Sequence, residues 1–173
     1  ELLIKGDVYL NKIYMETTIL DDAYDDKLVD MWQVLTENGA KSADGDTILH
    51  KLLDDEDDIE ANEEFIIYLL DNWNVNVNVQ NMESFTPLHK ACEKGRHEIV
   101  KKMFEKGADA KILACFNLNL LYYAALEGQV DETMMDILIN HGVDINEKNV
   151  FRFSLLDRAC EEGNIELVAA VLN

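Results

Sequence analysis

The side chains that carry out most enzymatic chemistry are few and scattered here, apart from a large excess of carboxylates. The 173-residue chain contains 35 Asp and Glu, 15 Lys and Arg, 4 His and 3 Cys. The sequence has no zinc-binding HExxH pattern, no glycine-rich phosphate loop and no GxSxG nucleophile elbow. Pairs of carboxylates alone do not indicate acid–base catalysis. We therefore expect that this segment is not an enzyme and has no catalytic, metal or cofactor site.

The densest run of carboxylates extends from Asp54 to Glu64 and has three interpretations. An EF-hand calcium loop needs a glycine at its sixth position, which this run lacks. The run is otherwise a solvated loop or part of an acidic binding surface. Across the whole chain the formal net charge is −20 at pH 7, which repels nucleic acid and anionic lipid. We therefore expect a protein partner with a basic surface, and neither nucleic-acid nor membrane binding.

Residues 86–109 give the clearest indication of the secondary structure of this chain. Thr86 is suited to cap a helix, and Pro87 is suited to its first position. Gly95 and Gly107 can adopt the left-handed conformation that ends a helix. Between them, apolar residues recur at helical spacing: Ile99, Val100, Met103 and Phe104. The segment, which contains the string TPLH, resembles the ankyrin repeat, a family known for binding other proteins.

Equivalent strings recur along the chain, and the predicted inner helices start near Thr18, Thr47, Thr86, Asn119 and Ser154. The steps between them are 29, 39, 33 and 35 residues, against about 33 in an ankyrin repeat. We place the length differences in loops, mainly the run from Asp54 to Glu64, because insertions there cost little stability. The resemblance implies an all-α solenoid of stacked antiparallel helix pairs joined by β-hairpin-like turns.

Residues 1–173 are interpreted as one ankyrin-repeat domain, since no flexible linker interrupts them. Residues 1–8 resemble a partial repeat, because Gly6 lies 12 residues before Thr18. The last repeat stops after its outer helix, so we expect a fragment of a longer array. Three cysteines argue against a disulfide framework and favour a reducing compartment, intracellular and cytoplasmic.

Several aromatic and sulfur-containing residues are expected in the core. Cys92 and Cys160 each lie six residues after a predicted helix start. The family usually has a small buried alanine at that position. Trp32 is expected to be buried on an outer helix. Trp73 lies in a lengthened connection, and the sequence leaves both a buried and an exposed position open.

The resemblance also implies a binding surface, because partners of ankyrin proteins usually meet the hairpin tips and the exposed positions of the inner helices. At the tips the register places Met82, Phe85, Phe116, Leu118, Phe151 and Phe153. On the inner helices it places Asp54, Asp55, Tyr123 and Leu126. Exposed aromatic clusters are uncommon on monomers, so we expect the apolar set to anchor a partner. The alternative is that these side chains pack against adjacent hairpins.

The preferred functional hypothesis is a non-catalytic scaffold that binds a partner protein on its concave face. Two alternatives keep the fold. One is a regulatory array within a larger enzyme, effector or channel protein. The other is an inhibitor of NF-κB-like transcription factors, because the string from Asp44 to His50, a long inter-helix insertion and TPLHKAC resemble the opening repeats of those inhibitors.

Overall fold

The computed structural model describes residues 11–13, 17–56, 59–126 and 128–172, and within them the chain forms ten α-helices. In chain order they are α1 (Ile19–Asp25), α2 (Val29–Glu37), α3 (Ile48–Asp54), α4 (Ile59–Asn72), α5 (Pro87–Glu93), α6 (His97–Glu105), α7 (Leu120–Leu126), α8 (Glu132–Asn140), α9 (Leu155–Glu162) and α10 (Ile165–Leu172). Odd-numbered helices are the inner members of each pair, and even-numbered helices are the outer members. The predicted all-α stack of helix pairs is confirmed. The predicted partial repeat at residues 1–8 lies outside the described residues.

Four of the five inner helices in the described residues begin directly after a side chain that caps them. The hydroxyls of Thr18, Thr86 and Ser154 accept a hydrogen bond from the backbone N–H three residues later, which satisfies one of the free donors at a helix start. Asn119 does the same with its Oδ1, 2.9 Å from the backbone nitrogen of Tyr122. These caps follow from the sequence and set where the hairpin before each helix must end.

The core runs along the stack between inner and outer helices, as expected when each repeat covers the apolar face of its neighbour. The leucines two positions after each predicted start are buried in the first four repeats: Leu20, Leu49, Leu88 and Leu121. Adjacent inner helices α5 and α7 pack closely, and each carries a small, fully buried alanine five residues after its predicted start, Ala91 and Ala124. The outer helix α6 ends at Glu105 and is followed by Lys106 and Gly107, whose φ of +85° a side chain would strain.

The second repeat differs from the prediction that its extra residues form a loop. Helix α4 contains 14 residues, whereas α2, α6 and α8 contain 9 each. The acidic segment from Ile59 to Glu64 is therefore the first part of this helix. Glutamate and alanine favour helix formation, and burial of Ile66, Leu69 and Leu70 further along the same helix anchors it.

The predicted core positions have different outcomes. Trp32 is buried, and its indole N–H donates to the carbonyl of Ala23 at 2.8 Å, which confirms the prediction. Trp73, left open by the sequence, is buried with its ring edge-to-face against Phe65. Cys92 is fully buried as predicted. Cys160 is exposed, so that prediction is wrong.

Candidate protein-interaction surface

Four hairpin tips precede the inner helices α3, α5, α7 and α9, and one backbone hydrogen bond closes each of them. We call them tip 1 (residues 42–46), tip 2 (81–85), tip 3 (114–118) and tip 4 (149–153). The first N–H of each tip donates to its last carbonyl at 2.8 to 3.0 Å. In tip 4 the side chain of Asn149 adds a second constraint, because its Oδ1 accepts from the N–H groups of Phe151 and Phe153, both at 3.0 Å. The tips are thus defined by local hydrogen bonds and present their side chains on a fixed backbone.

Neighbouring tips are joined in pairs by backbone hydrogen bonds. The N–H of Met82 in tip 2 donates to the carbonyl of Asp44 in tip 1 at 2.9 Å. Tips 3 and 4 repeat this contact, since the N–H of Val150 donates to the carbonyl of Phe116 at 3.0 Å. Gly45 permits the close approach of the first pair, because a Cβ there would lie 3.1 Å from the nitrogen of Met82. We call each hydrogen-bonded pair of tips a platform; tips 2 and 3, which belong to different platforms, meet through the buried side chains of Phe85 and Leu118.

The platform of tips 3 and 4 carries an exposed aromatic cluster, which we call the finger patch: Phe116, Val150, Phe151 and Phe153. Phe116 is 59% exposed and Phe151 is 64% exposed. Their ring centroids are 5.9 Å apart, within the range of favourable aromatic contact. The two rings thus lie side by side at the surface.

Phe116 occupies an unfavourable backbone conformation. Its φ is +59° and the φ of Asn117 is +57°, so two consecutive residues lie in the left-handed region. A bulky residue rarely adopts this region, and such strain costs on the order of 1 kcal/mol or more. Because the strained phenylalanine is exposed, its ring does not recover this cost by burial. Such strain is typical of residues retained for binding.

Three predicted anchor residues are not exposed. Phe85, Leu118 and Tyr123 are each at least nine-tenths buried and form a small second core with Ala114 and Tyr122. The ring of Phe85 stacks on that of Tyr123 with centroids 4.6 Å apart, and the ammonium group of Lys90 lies 5.5 Å from the Phe85 ring centroid. The prediction of exposed anchors is wrong for these three residues, because side chains from two neighbouring repeats turn toward each other and cover them.

Two further residues, Met82 and Leu126, were predicted as apolar anchors. Met82 is 72% exposed at tip 2, where it belongs to the other platform. Leu126 is the last residue of α7, and its side chain lies outside the described part of the chain. Val150 was not among the predicted anchors, although its position in the register matches that of Met82. The structure therefore brings together Phe116, Phe151 and Phe153 and adds Val150.

The two predicted acidic residues on the inner helices are held by neighbouring repeats. The carboxylate of Asp54 lies 3.3 Å from Nζ of Lys90, which also lies 3.2 Å from Glu93. Asp55 accepts a 2.7 Å hydrogen bond from the hydroxyl of Tyr24. Burial raises the pKa of Asp54 above its ordinary value, although Lys90 opposes this. Burial also opposes the charge of Lys90, but the carboxylates of Asp54 and Glu93 raise its pKa. These carboxylates connect repeats as well as contributing negative charge.

Two of the histidines, His50 and His89, stabilise the starts of α3 and α5 by hydrogen bonds. Nδ1 of His50 and Nδ1 of His89 accept from the N–H groups of Thr47 and Thr86, at 3.1 and 3.2 Å. Nε2 of His50 lies 3.0 Å from the carbonyl of Phe85 in the next repeat. Burial lowers the pKa of both His50 and His89. Within the described residues, no three His, Cys, Asp or Glu side chains lie where they would hold a metal ion.

A comparison with known protein families matches residues 22–114 to ankyrin repeats, in three copies. The match spans more than half of the chain and agrees with the stacked helix pairs. The chain belongs to the ankyrin-repeat family. Ankyrin repeats are generally protein–protein interaction modules. Among curated proteins no significant match is found. In the described residues, no helix is long and apolar enough to span a membrane.

The family match and the finger patch occupy different parts of the ankyrin stack. The match ends at Ala114, the first residue of tip 3, whereas the patch begins at Phe116. Helices α7 to α10 continue the same register, with caps at Asn119 and Ser154. The aromatic residues of the finger patch are therefore carried by the two repeats that the family match does not include.

Proposed function

We propose that this ankyrin-repeat stack is a non-catalytic scaffold that binds a partner protein through the finger patch. The observation that supports the proposal most strongly is the pair of exposed phenylalanines at joined tips, one of them on a strained backbone. Interface hot spots are typically aromatic residues at the centre of a contact surface. The net charge of −20 favours a partner with a basic surface around an apolar anchor. The three free cysteines support an intracellular, reducing location.

The test compares partner binding by the intact chain with binding by Phe116→Ala and Phe151→Ala variants. A partner captured by the intact chain is purified, and its affinity is measured by surface plasmon resonance. Each substitution should weaken binding by about 2 kcal/mol or more, which is roughly thirtyfold, because hot-spot aromatics contribute that much. Raising the salt concentration should slow association, since a charged surface steers the encounter.

The matched control is Tyr68→Ala, which removes an aromatic ring 54% exposed on the outer helix α4. Its affinity should equal that of the wild type. Melting temperatures of all variants are measured in parallel. A lower melting temperature with unchanged affinity in Phe116→Ala and Phe151→Ala would contradict the proposal, because the phenylalanines would then be packing residues.

A further inference from the structure

The outer layer of helices is interrupted between the last two repeats. Helix α4 packs on α6, and α6 packs on α8, but α8 and α10 make little contact. Helices α2 and α4 also make few backbone contacts, yet the rings of Trp32 and Phe65 join them with centroids 5.9 Å apart. A cleft of about 720 Å³ lies between α8 and α10, within the size range of typical ligand sites. None of its lining residues belongs to a hairpin tip or to the finger patch.

The register explains why the cleft is open. In α6, Lys102 extends to α4 and forms a 2.8 Å ion pair with Asp71. The corresponding position of α10, counted from the residue before each helix, holds Ala170, whose methyl group is too short for such a contact. Between α6 and α8, the ring of Phe104 stacks on His141 with centroids 3.8 Å apart. In the described residues, no ion pair or ring contact joins α10 to α8.

The floor of the cleft is apolar and its rim is acidic. The apolar lining includes buried Met135 and Leu167, half-buried Ala170 and exposed Ile139. Four carboxylates line the cleft together with them, Asp131, Glu132, Asp136 and Glu166, and no lysine or arginine does. Within the described part of the chain, Glu132, Asp136 and Glu166 make no ion pair. An occupant with apolar side chains on one face and cations along its edges would complement both features.

We propose that the cleft between α8 and α10 is a docking site for a basic amphipathic helix of a partner protein. A helix suits the site because the outer layer is built from helices lying side by side, and a helix inserted here would fill the gap between two of them. A second copy of this chain does not suit it, because two chains with net charge −20 repel each other. The site is separate from the finger patch and represents a second binding surface.

The test uses a fluorescently labelled model peptide of leucine and lysine, about 15 residues long, with leucines at i, i+3, i+4 and i+7. Its affinity for the intact chain is measured by fluorescence anisotropy. The double variant Asp136→Lys/Glu166→Lys should weaken binding at least tenfold, because it replaces two rim carboxylates by cations. Ala170→Lys should have a similar effect, since it places bulk and positive charge in the cleft.

The matched control is Asp30→Lys/Glu37→Lys on α2, which changes two exposed carboxylates and the same total charge far along the stack. This control should bind the peptide within about twofold of the wild type. A peptide of the same composition with scrambled order should bind at least tenfold more weakly. The Phe116→Ala/Phe151→Ala variant should retain full peptide affinity, which separates this test from that of the finger patch.

Carbodiimide cross-linking of the peptide to the wild-type chain provides a readout that needs no variant. Mass spectrometry should locate the cross-links at Glu132, Asp136 or Glu166. Equal loss of binding in the α2 control would show a non-specific attraction to the acidic chain and would overturn the proposal. Absence of peptide binding, or cross-links only elsewhere, would overturn it as well.

Discussion

His89 shows how one buried side chain makes stability depend on pH. It caps the start of α5 through Thr86 and is fully buried. Burial, together with the nearby His50, lowers its pKa to about 4, whereas an unfolded chain has a histidine pKa of about 6.5. Between these values the unfolded chain binds a proton that the folded chain does not. The stability contributed by neutral His89 is therefore present above about pH 6.5 and is lost as the pH falls toward 4.

We predict that His89→Gln reduces this loss of stability, by at most about 3 kcal/mol between pH 6.5 and 4. Glutamine is chosen because it serves at the same position of a capping box but does not titrate. The measurement is the free energy of unfolding in urea at several pH values. Tyr68→Ala, at an exposed aromatic residue of α4, is the control, and its pH profile should run parallel to that of the wild type. Parallel pH profiles for wild type and His89→Gln would contradict the role assigned to His89.

At the residue scale, the sequence predicted which positions form the tips but not which of their side chains turn inward. Phe116 and Phe151 are exposed as the register implied, whereas Phe85 and Tyr123 bury each other by stacking. Counting positions from each helix start describes an average repeat. The contact between Phe85 and Tyr123, by contrast, depends on two aromatic rings that meet across neighbouring repeats. Such a pairing depends on the distance and orientation between helices, which a single sequence does not specify.

The hairpin pair formed by tips 1 and 2 gives a prediction at the scale of elements. Gly45 and Gly107 have nearly the same backbone φ, +81° and +85°. A Cβ at Gly45 would crowd the backbone of Met82, whereas nothing lies within 4 Å of a Cβ at Gly107. Gly45→Ala should therefore lower the free energy of unfolding by about 1 kcal/mol more than Gly107→Ala, since both share the strain of a positive φ.

Urea denaturation of the two alanine variants measures this difference. Equal destabilisation would show that the tips separate easily and that the contact between Met82 and Asp44 contributes little. Hydrogen exchange at the Met82 amide provides an independent check, since this N–H should become less protected in Gly45→Ala only.

Element starts were more predictable than element lengths. Helix-capping residues act within one turn of chain, so Thr18, Thr86 and Ser154 indicated their helices from the sequence alone. The length of α4 depends on competition between a loop and a helix for the acidic segment that begins at Ile59. Packing of the distant residues Ile66 and Leu70 contributes to that outcome, and tertiary contacts of this kind override local preference.

For the whole molecule, the uneven burial of the outer helices predicts uneven stability. Helix α6 buries Ile99, Val100 and Met103, whereas α10 buries only Leu167 and leaves Ile165 80% exposed. Backbone amides of α10 should therefore exchange with deuterium at least about tenfold faster than those of α6, because local opening of α10 exposes less apolar surface. Mass spectrometry of exchanged peptides measures this. Equal protection of the two helices would show that α10 is covered in solution.

Repeat architecture was predictable from sequence because it is encoded locally and then repeated. The cleft between α8 and α10 was not, although Ala170 at the position of Lys102 was a visible signal. That signal has meaning only once Lys102 is known to reach Asp71, a contact between helices of different repeats. Features that depend on the distance between helices of different repeats could therefore be found only from the structure.

The joining of tips in pairs has a consequence for how this surface could be inherited or transplanted. A single repeat moved into another stack would carry Phe116 without Phe151, or the reverse, and would lose the hydrogen bond between Val150 and Phe116. The smallest module that keeps this hydrogen bond is thus the two-repeat block from tip 3 to α10, in which Leu118 and Tyr123 would need a new neighbour in place of Phe85. Recombination boundaries, whether in natural gene duplication or in protein engineering, would preserve the finger patch only if they do not separate tip 3 from tip 4.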